Sequence, residues 1–280
     1  MRLKTILLLS GLTGLILAVG YYIGGQNGLT TALILAALMN LGSYWFSDKI
    51  VLAMYHARQI LPEQNPKLHQ IVEKLAAKMN IPKPKIYLVN LPIPNAFATG
   101  RNKKHAVVAV TPAILSLLND QELEGVLAHE LGHIENRDIL ISSIAATLAG
   151  AISYLAQMAY YAMIFSGGRG RDREDGSPFG ALILVILTPI IATLLHLAIS
   201  RSREYLADET GAKTVGDPKG LASALEKLHQ SSRTRPLIAE PKYESTAHLF
   251  IVNPFKPSIL MTLFSTHPPV EERIKRLYKL

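Results

Sequence analysis

The sequence predicts an α+β membrane protein that is mainly helical, with four transmembrane helices and a small β-sheet. The composition supports this class, because hydrophobic residues make up 49% and charged residues 18% of the 280 residues, with a mean hydropathy of +0.22. These values are too apolar for an ordinary soluble domain. The second observation is that long runs without charge alternate with polar stretches that carry helix and strand patterns.

The stretch 5–47 has no charged residue and predicts two membrane spans. The turn signal Gly24–Gly28 divides it into segments 5–23 and 29–46, each near the roughly 20 residues that a membrane helix needs. A cleaved signal peptide is the alternative, because two basic residues precede the apolar stretch. The stretch is long for a signal peptide, lacks a clear cleavage site and is followed at once by the second span, so we favour two spans.

Residues 48–138 are polar and carry mixed helix and strand patterns. Apolar residues recur at helical spacing in 66–80, which predicts an amphipathic helix. The runs 84–89 and 106–110 are β-prone and predict two strands. Between them, Asn95–Asn102 is predicted to be a turn-rich connection.

Two further charge-free runs predict the third and fourth spans. They cover 139–168 and 179–200, and a short charged loop, 169–175, joins them. His196 lies within the fourth span, where we interpret it as an intramembrane polar contact. The rest of the chain, to Leu280, is a polar tail.

Charge and cysteine content restrict the partners. The net charge of +8 favours attraction to anionic lipid. The Lys and Arg residues are scattered and no nucleic-acid-reading motif occurs, so nucleic-acid binding is a poor explanation. Because the chain has no cysteine, any metal site must use nitrogen and oxygen ligands.

The most informative motif is H-E-x-x-H, within the run QELEGVLAHELGHIENRD. Residues i and i+4 of a helix share a face, so His129 and His133 can bind one ion. Glu130 lies close enough to bind a water molecule on that ion. The alternative is a helix with two satisfied surface histidines. Asn119 or Asp120 is expected to cap this helix.

A catalytic zinc needs a third protein ligand, which must come from a distant part of the chain. We predict Glu204, with Asp208 one turn further on and ready to accept the free N–H of a ligand histidine. The alternative is a charged helix face at a membrane exit, anchored by Arg201 and Arg203. Two predicted spans separate His133 from Glu204, which returns both halves of the site to one side of the membrane.

These residues resemble the HtpX-like membrane zinc metalloproteases, relatives of the CAAX prenyl proteases. The matching segments are NAFATGR (95–101), HAVVAVT (105–111), ELEGVLAHELGHIENRD (122–138), SRSREYLAD (200–208) and STHPP (265–269). The resemblance implies a zincin-like (gluzincin) domain with one Zn²⁺ per chain on His129, His133 and Glu204, and Glu130 as the catalytic base. It also implies an endopeptidase active on the cytoplasmic side in membrane-protein quality control.

The chain is then expected to have four parts. These are 1–47 with two transmembrane helices, 48–138 with the first half of the metalloprotease domain, 139–200 with two further transmembrane helices, and 201–280 with the second half and the third zinc ligand. The expected partners are the lipid bilayer and protein or peptide substrates, chiefly misfolded or damaged membrane proteins, with functional overlap with another membrane quality-control protease. The rival functions are a CAAX-type prenyl-protein protease and a non-enzymatic membrane scaffold; intact Glu130 argues against the scaffold.

A protease must hold its substrate extended, and an exposed strand edge can do so by backbone pairing. We predict that the strand 106–110 is this edge; the alternative is an ordinary core strand. The predicted substrate-binding residues are Asn95, Ala106, Val107, Val108 and Ala109.

The remaining assignments concern basic side chains. His267 is predicted to donate to the oxyanion of the transition state, or else only to precede the final helix. Arg203 is predicted to support the site by pairing with Asp208 or Glu135. Histidines without a partner pattern are interpreted as surface residues, namely His56, His69, His105, His229 and His248.

The distribution of Lys and Arg predicts a multi-pass protein of the cell (inner) membrane with both termini and the active site in the cytoplasm. Seven basic residues near span ends fall on one side and three on the other. The first group is Arg2, Lys4, Lys49, Arg58, Arg137, Arg201 and Arg203, and the second is Arg169, Arg171 and Arg173.

Overall fold

The computed structural model describes residues 2–150, 201–237, 243, 246–255 and 268–280. In chain order the helices and strands within these ranges are α1 (Arg2–Met54), β1 (Arg58–Gln59), α2 (Pro66–Lys78), β2 (Lys85–Leu88), β3 (Ala96–Gly100), β4 (Ala106–Val110), α3 (Pro112–Leu117), α4 (Asp120–Glu135), α5 (Ile139–Gly150), α6 (Arg201–Val215), α7 (Pro218–Thr234) and α8 (Val270–Leu277). Short 3₁₀ turns occur at Lys103–His105 and Ala247–Leu249.

Helix α1 folds back on itself at the predicted turn. Gly24 and Gly25 have non-helical backbone angles, and the positive φ of Gly25 (55°) suits a residue without a side chain. A β-carbon added to Gly20 would lie 2.7 Å from the carbonyl oxygen of Gly28, so the two arms touch through their backbones. The second arm continues to Met54 and is therefore longer than the predicted segment 29–46.

The second arm can cross a membrane. Gly24–Met54 has 31 residues, a mean hydropathy of 1.4 over its most apolar window, and only 17% of that window is buried. It is the one helix in the described part of the chain that is long and apolar enough for this, and Leu9–Tyr22 in the first arm is a shorter apolar helix. The third predicted span is described only as far as Gly150, and the loop 169–175 and the fourth span, with His196, lie outside the described residues.

The polar part contains the predicted sheet, but its strand order differs from our expectation. The four described strands have the order β1-β2-β4-β3, with β2 and β4 parallel and the other two pairs antiparallel. Asn95–Asn102, predicted to be a turn-rich connection, contains the strand β3, which the sequence pattern did not reveal because alanine and glycine are poor strand formers. Since β4 pairs with a strand on each side, the prediction that 106–110 is the free edge is wrong; the edge strands are β1 and β3.

Helix α4, which carries the H-E-x-x-H motif, is buried beside this sheet. It begins with a capping box in which Asn119 Oδ1 accepts the N–H of Glu122 and Glu122 Oε2 accepts the N–H of Asn119. Five apolar side chains of α4 are completely buried, namely Val126, Leu127, Ala128, Leu131 and Ile134. The predicted amphipathic helix is present as α2 and packs against α4.

Glycines let the neighbouring helices approach α4 closely. A β-carbon added to Gly211 of α6 would lie 2.9 Å from the backbone nitrogen of His129, and one added to Gly132 would lie 3.2 Å from the carbonyl oxygen of Ala207. Gly125 of α4 meets the backbone of α7 in the same way. These contacts bring α6, with Glu204 and Asp208, against the histidines of α4.

We expect Gly211→Ala to destabilise the protein and weaken metal binding, although alanine is the better helix former by roughly 1 kcal/mol. The added methyl group would meet the backbone of α4, which cannot move aside as a flexible side chain can. Overpacking of this kind costs about 1–3 kcal/mol. Thermal unfolding and metal titration measure the two effects. Gly42→Ala is the matched control, since nothing lies within 4 Å of its β-carbon; equal stability of the two variants would contradict the prediction.

Candidate active site

Three side chains from two helices converge on one point. His129 and His133 lie one turn apart on α4, and Glu204 lies on the first turn of α6. The Nε2 atoms of His129 and His133 are 3.2 Å apart. The carboxylate of Glu204 places one oxygen 3.7 Å from Nε2 of His129 and the other 3.5 Å from Nε2 of His133. This group could hold a metal ion, and it unites the three side chains that the sequence assigned as ligands.

Each histidine presents its other ring nitrogen to a carboxylate. His129 Nδ1 lies 2.8 Å from Asp208 Oδ1, and His133 Nδ1 lies 3.5 Å from Asp138 Oδ2. A neutral imidazole that donates from Nδ1 keeps a lone pair on Nε2. When both histidines are neutral, two lone pairs and a carboxylate face one another, which suits a cation. Two nitrogens bound tetrahedrally to zinc at about 2.0–2.1 Å would be separated by about 3.3 Å, so the observed spacing fits zinc.

The charges around these ligands favour positive charge at their centre. Burial alone would lower the pKa of His133, but Glu204 and then Asp138 raise it to about 9. Burial would also raise the pKa of Asp208, but the neighbouring Arg273 and His129 hold it well below its ordinary value. The surroundings therefore favour the ionised form of Asp208 and positive charge at His133.

Glu130 joins this group to the edge of the sheet. Its carboxylate is buried, and Oε2 accepts a hydrogen bond of 2.8 Å from the backbone N–H of Ala98 in β3. Burial raises the pKa of Glu130, while the neighbouring His129 and His133 oppose that rise. The side chain next to the metal-binding group is thus a carboxylate whose proton affinity is raised, as a general base requires.

Arg273 is a site residue that the sequence reading missed. Its side chain is fully buried, Nε and Nη2 donate to the two carboxylate oxygens of Asp208 at 2.9 and 2.7 Å, and Nη1 donates to the carbonyl oxygen of Ile251. The overlooked signal is its position on α8, where Val270, Arg273 and Leu277 share the buried face. A charged residue in that row needs a buried partner, and the partner is the carboxylate that orients His129.

The residues assigned to substrate binding need correction. Ala106, Val107, Val108 and Ala109 are buried in the central strand β4, and its backbone groups are used by β2 and β3. The side chain of Asn95 is also occupied, because its Nδ2 donates to the carbonyl oxygen of Leu249 and its Oδ1 accepts the N–H of Ile251. Asn95 therefore holds the segment around 249–251 in place.

Two histidines interpreted as surface residues are buried. His248 lies in the wall of the cleft, and its Nε2 donates to the carbonyl oxygen of Ser142 at 3.0 Å. His69 makes the same kind of bond to the carbonyl oxygen of Ile60. Arg203 lines the cleft, whereas the arginine that binds Asp208 is Arg273. His267 lies outside the described residues.

The ligands and Glu130 open onto a narrow cleft of about 50 Å³. Segments of β3, α4, α5, α6 and the 3₁₀ turn at 247–249 contribute to its walls. The lining residues are Phe97, Ala98, His129, Glu130, His133, Asp138, Ile139, Ser142, Arg203, Glu204, His248, Leu249, Phe250 and Ile251.

Comparison with known proteins agrees with this geometry. Residues 62–280 match Peptidase family M48. The chain belongs to this family. A protein named Protease HtpX homolog from Persephonella marina is 56% identical over 279 residues, which cover 99% of this chain and 96% of the relative. The homolog from Pyrococcus furiosus is 54% identical over 277 residues, covering 99% and 95% of the two chains.

One solved structure has a similar fold. The crystal structure of S. mikatae Ste24p matches 99% of this chain with a TM-score of 0.51 at 20% sequence identity. This chain spans 65% of the length of that protein, and the likeness concerns the fold alone. Family and relatives together identify this chain as a metalloprotease, and the relatives and the apolar helix α1 indicate a membrane protein.

Proposed function

We propose that this member of family M48 is a zinc-dependent endopeptidase that hydrolyses extended segments of membrane proteins at the cytoplasmic face of the cell membrane. The observation that carries the proposal is the bond between Ala98 N–H and Glu130 Oε2. It joins the free edge of β3 to Glu130, which neighbours the metal-binding group. The relatives named Protease HtpX homolog support hydrolysis of a protein substrate.

Zinc fits the ligand set, because two histidines and one glutamate are a common set for catalytic zinc. His129, His133 and Glu204 would hold the ion, which would supply Lewis acidity for water and the peptide carbonyl. Glu130 accepts the proton of the attacking water and delivers it to the leaving amine, for which its raised pKa is suited. Asp208 and Asp138 hold the two histidines in the required tautomer.

The edge strand β3 is the surface on which we place the substrate. Ala98 N–H points away from β4 and towards the cleft, where a substrate carbonyl oxygen can replace Glu130 as its acceptor. Further along the edge, Ser143 Oγ accepts the N–H of Gly100 at 2.9 Å and also contacts Thr99 Oγ1. This cap ends the free edge, so pairing is confined to the part of β3 nearest Glu130.

We expect Ala98→Pro to lower kcat/KM for a peptide substrate by about 10- to 100-fold, the size of one lost hydrogen bond to a bound group plus local adjustment. Proline removes the N–H and is tolerated on the free side of an edge strand. Hydrolysis of casein and of a defined peptide, with metal content measured in parallel, tests this. The control is Ala98→Ser, which keeps the N–H. Full activity of the proline variant with normal metal content would remove β3 as the substrate strand.

The rival chemistry, a CAAX-type prenyl-protein protease, predicts a different substrate requirement. An endopeptidase of extended segments should cleave unprenylated casein, whereas a prenyl-protein protease should require a lipidated C-terminal peptide.

His267 remains a proposed donor to the oxyanion. Its variant His267→Ala should then lower kcat with little change in metal content.

We also propose that both termini and the cleft face the cytoplasm. The excess of Lys and Arg on that side supports this orientation. A reporter that is active only outside the cytoplasm should be silent when fused after Leu280 and active when inserted at Gly170. The opposite pattern would overturn the orientation and, with it, the placement of the cleft.

A further inference from the structure

The turn between β3 and β4 touches the membrane helix. The guanidinium carbon of Arg101 lies 4.6 Å from the ring centroid of Trp45, on the second arm of α1. Trp45 is 51% exposed and is the only tryptophan of the chain. Tryptophan concentrates where a membrane helix meets water, and Trp45 lies at the end of the apolar stretch that leads into the polar part. The turn therefore lies at the level of the membrane surface.

The turn is built rigidly. Gly100 has a φ of 139° and approaches the carbonyl oxygen of His105 so closely that a β-carbon would lie 2.2 Å from it. Asn102 Oδ1 accepts the N–H groups of Lys104 and His105 at 3.0 and 3.1 Å. Arg101 Nη2 donates to His105 Nε2 at 2.9 Å, so His105 donates from Nδ1 to Asn102 Oδ1. The basic side chains of Arg101, Lys103 and Lys104 thus extend from a backbone turn that these hydrogen bonds hold in one conformation.

The charge of this surface is strongly positive. Lys104 is exposed and Lys103 half-buried, both next to Arg101. One helical turn after Trp45, Lys49 is exposed and its Nζ lies 5.5 Å from the ring centroid of Phe46. Within Tyr44–Lys49 and Arg101–His105 four Lys and Arg residues stand against one carboxylate, Asp48. A cluster of cations beside interfacial aromatic rings is the surface that an anionic headgroup fits.

We propose that Trp45–Lys49 and Arg101–His105 form a binding site for the phosphate headgroup of an anionic phospholipid. The guanidinium of Arg101 and the ammonium groups of Lys103, Lys104 and Lys49 bind the phosphate and the headgroup charge, while the acyl chains lie along the apolar face of α1. Because the turn continues directly from β3, a bound lipid fixes the edge strand, and with it the cleft, at a set distance from the bilayer. The inference rests on the proposed membrane location and is independent of peptide hydrolysis.

The single tryptophan provides a direct test. The full-length protein is reconstituted in vesicles that contain equal amounts of phosphatidylcholine and phosphatidylglycerol. In one sample the phosphatidylcholine carries brominated acyl chains, and in the other the phosphatidylglycerol does. Brominated chains quench the fluorescence of Trp45 on contact. We expect brominated phosphatidylglycerol to quench more strongly, corresponding to a several-fold binding preference. Each basic residue near a membrane surface contributes roughly fivefold, so Lys103→Gln with Lys104→Gln should remove most of the preference. Raised salt should weaken it as well.

The matched control is Lys213→Gln with Lys219→Gln, which removes the same charge from exposed positions around the α6–α7 turn. It should keep the wild-type preference. Equal quenching by the two brominated lipids in the wild type, or the same loss in the control, would overturn the site. Absence of quenching by either lipid would overturn the site and the membrane placement of Trp45 together. Casein hydrolysis in detergent should stay within about twofold for both double variants, since this site holds lipid and not substrate.

Discussion

Glu130→Gln is expected to abolish proteolysis while leaving the metal site intact. Glutamine keeps the size of the side chain, and its amide oxygen can still accept the N–H of Ala98, so β3 and α4 should stay in place. It cannot take a proton from water at neutral pH. Loss of a general base typically costs about 100- to 10,000-fold in rate. Casein hydrolysis and metal content of the purified protein measure the two properties.

A matched control for this prediction lies on the same helix. Glu135 ends α4 and is not in contact with the cleft, so Glu135→Gln should retain activity within about twofold. If Glu130→Gln kept activity within a few-fold of the wild type, Glu130 could not be the base. We also expect the inactive variant to purify intact more readily than the wild type, because an active protease can cut its own chain.

The local part of the site could be predicted from sequence, because it depends on helix geometry alone. His129, Glu130 and His133 share one helix, and the i, i+4 rule brings the two imidazoles together without knowledge of the rest of the fold. The helix start at Asn119 follows from the same local chemistry. Glu204 lies far from this motif in sequence, so helix geometry alone does not identify it as a ligand. Sequence spacing shows only that Glu204 and Asp208 share one face of a helix.

The strand order could not be predicted in this way. The strand β4 has the more β-prone sequence, and the same property that made it conspicuous suits it to the buried centre of the sheet. The edge strand β3 contains two alanines and a glycine, which have little strand propensity of their own. It is held by pairing with β4 and by side chains from other elements, among them Glu130 and Ser143. Such tertiary contacts leave no periodic signal in the sequence.

Arg273 illustrates how a distant residue completes the metal site. Its guanidinium binds both oxygens of Asp208, and Asp208 in turn holds His129. A buried carboxylate and a buried guanidinium each require the other, because an unpaired charge in the interior costs several kcal/mol. The end of the chain is therefore linked to the centre through α8, and the orientation of His129 depends on a helix that lies 144 residues away in sequence.

Removal of the third ligand should have the largest effect on metal binding. We expect Glu204→Ala to lose stoichiometric zinc, because two histidines remain and the carboxylate that closes the site is gone. Asp208→Asn should keep one zinc per chain but bind it about 10- to 100-fold more weakly, as is typical when the partner of a metal-bound histidine is altered. Asparagine still offers an oxygen to His129 Nδ1 but no charge to Arg273, so this variant should also unfold at a lower temperature.

Zinc content and competition with a chelator separate these outcomes. Glu209→Ala is the control, since Glu209 follows Asp208 on α6 but pairs with the exposed Lys213. Exposed pairs contribute little, so its zinc affinity should equal that of the wild type. If Glu204→Ala bound one zinc per chain with normal affinity, the third ligand would lie elsewhere, and Asp138 and Asp208 would be the next carboxylates to replace. A Glu204→Asp variant provides a further test. If this position supplies the ligand, the shorter carboxylate should bind zinc more tightly than Glu204→Ala but more weakly than the wild type.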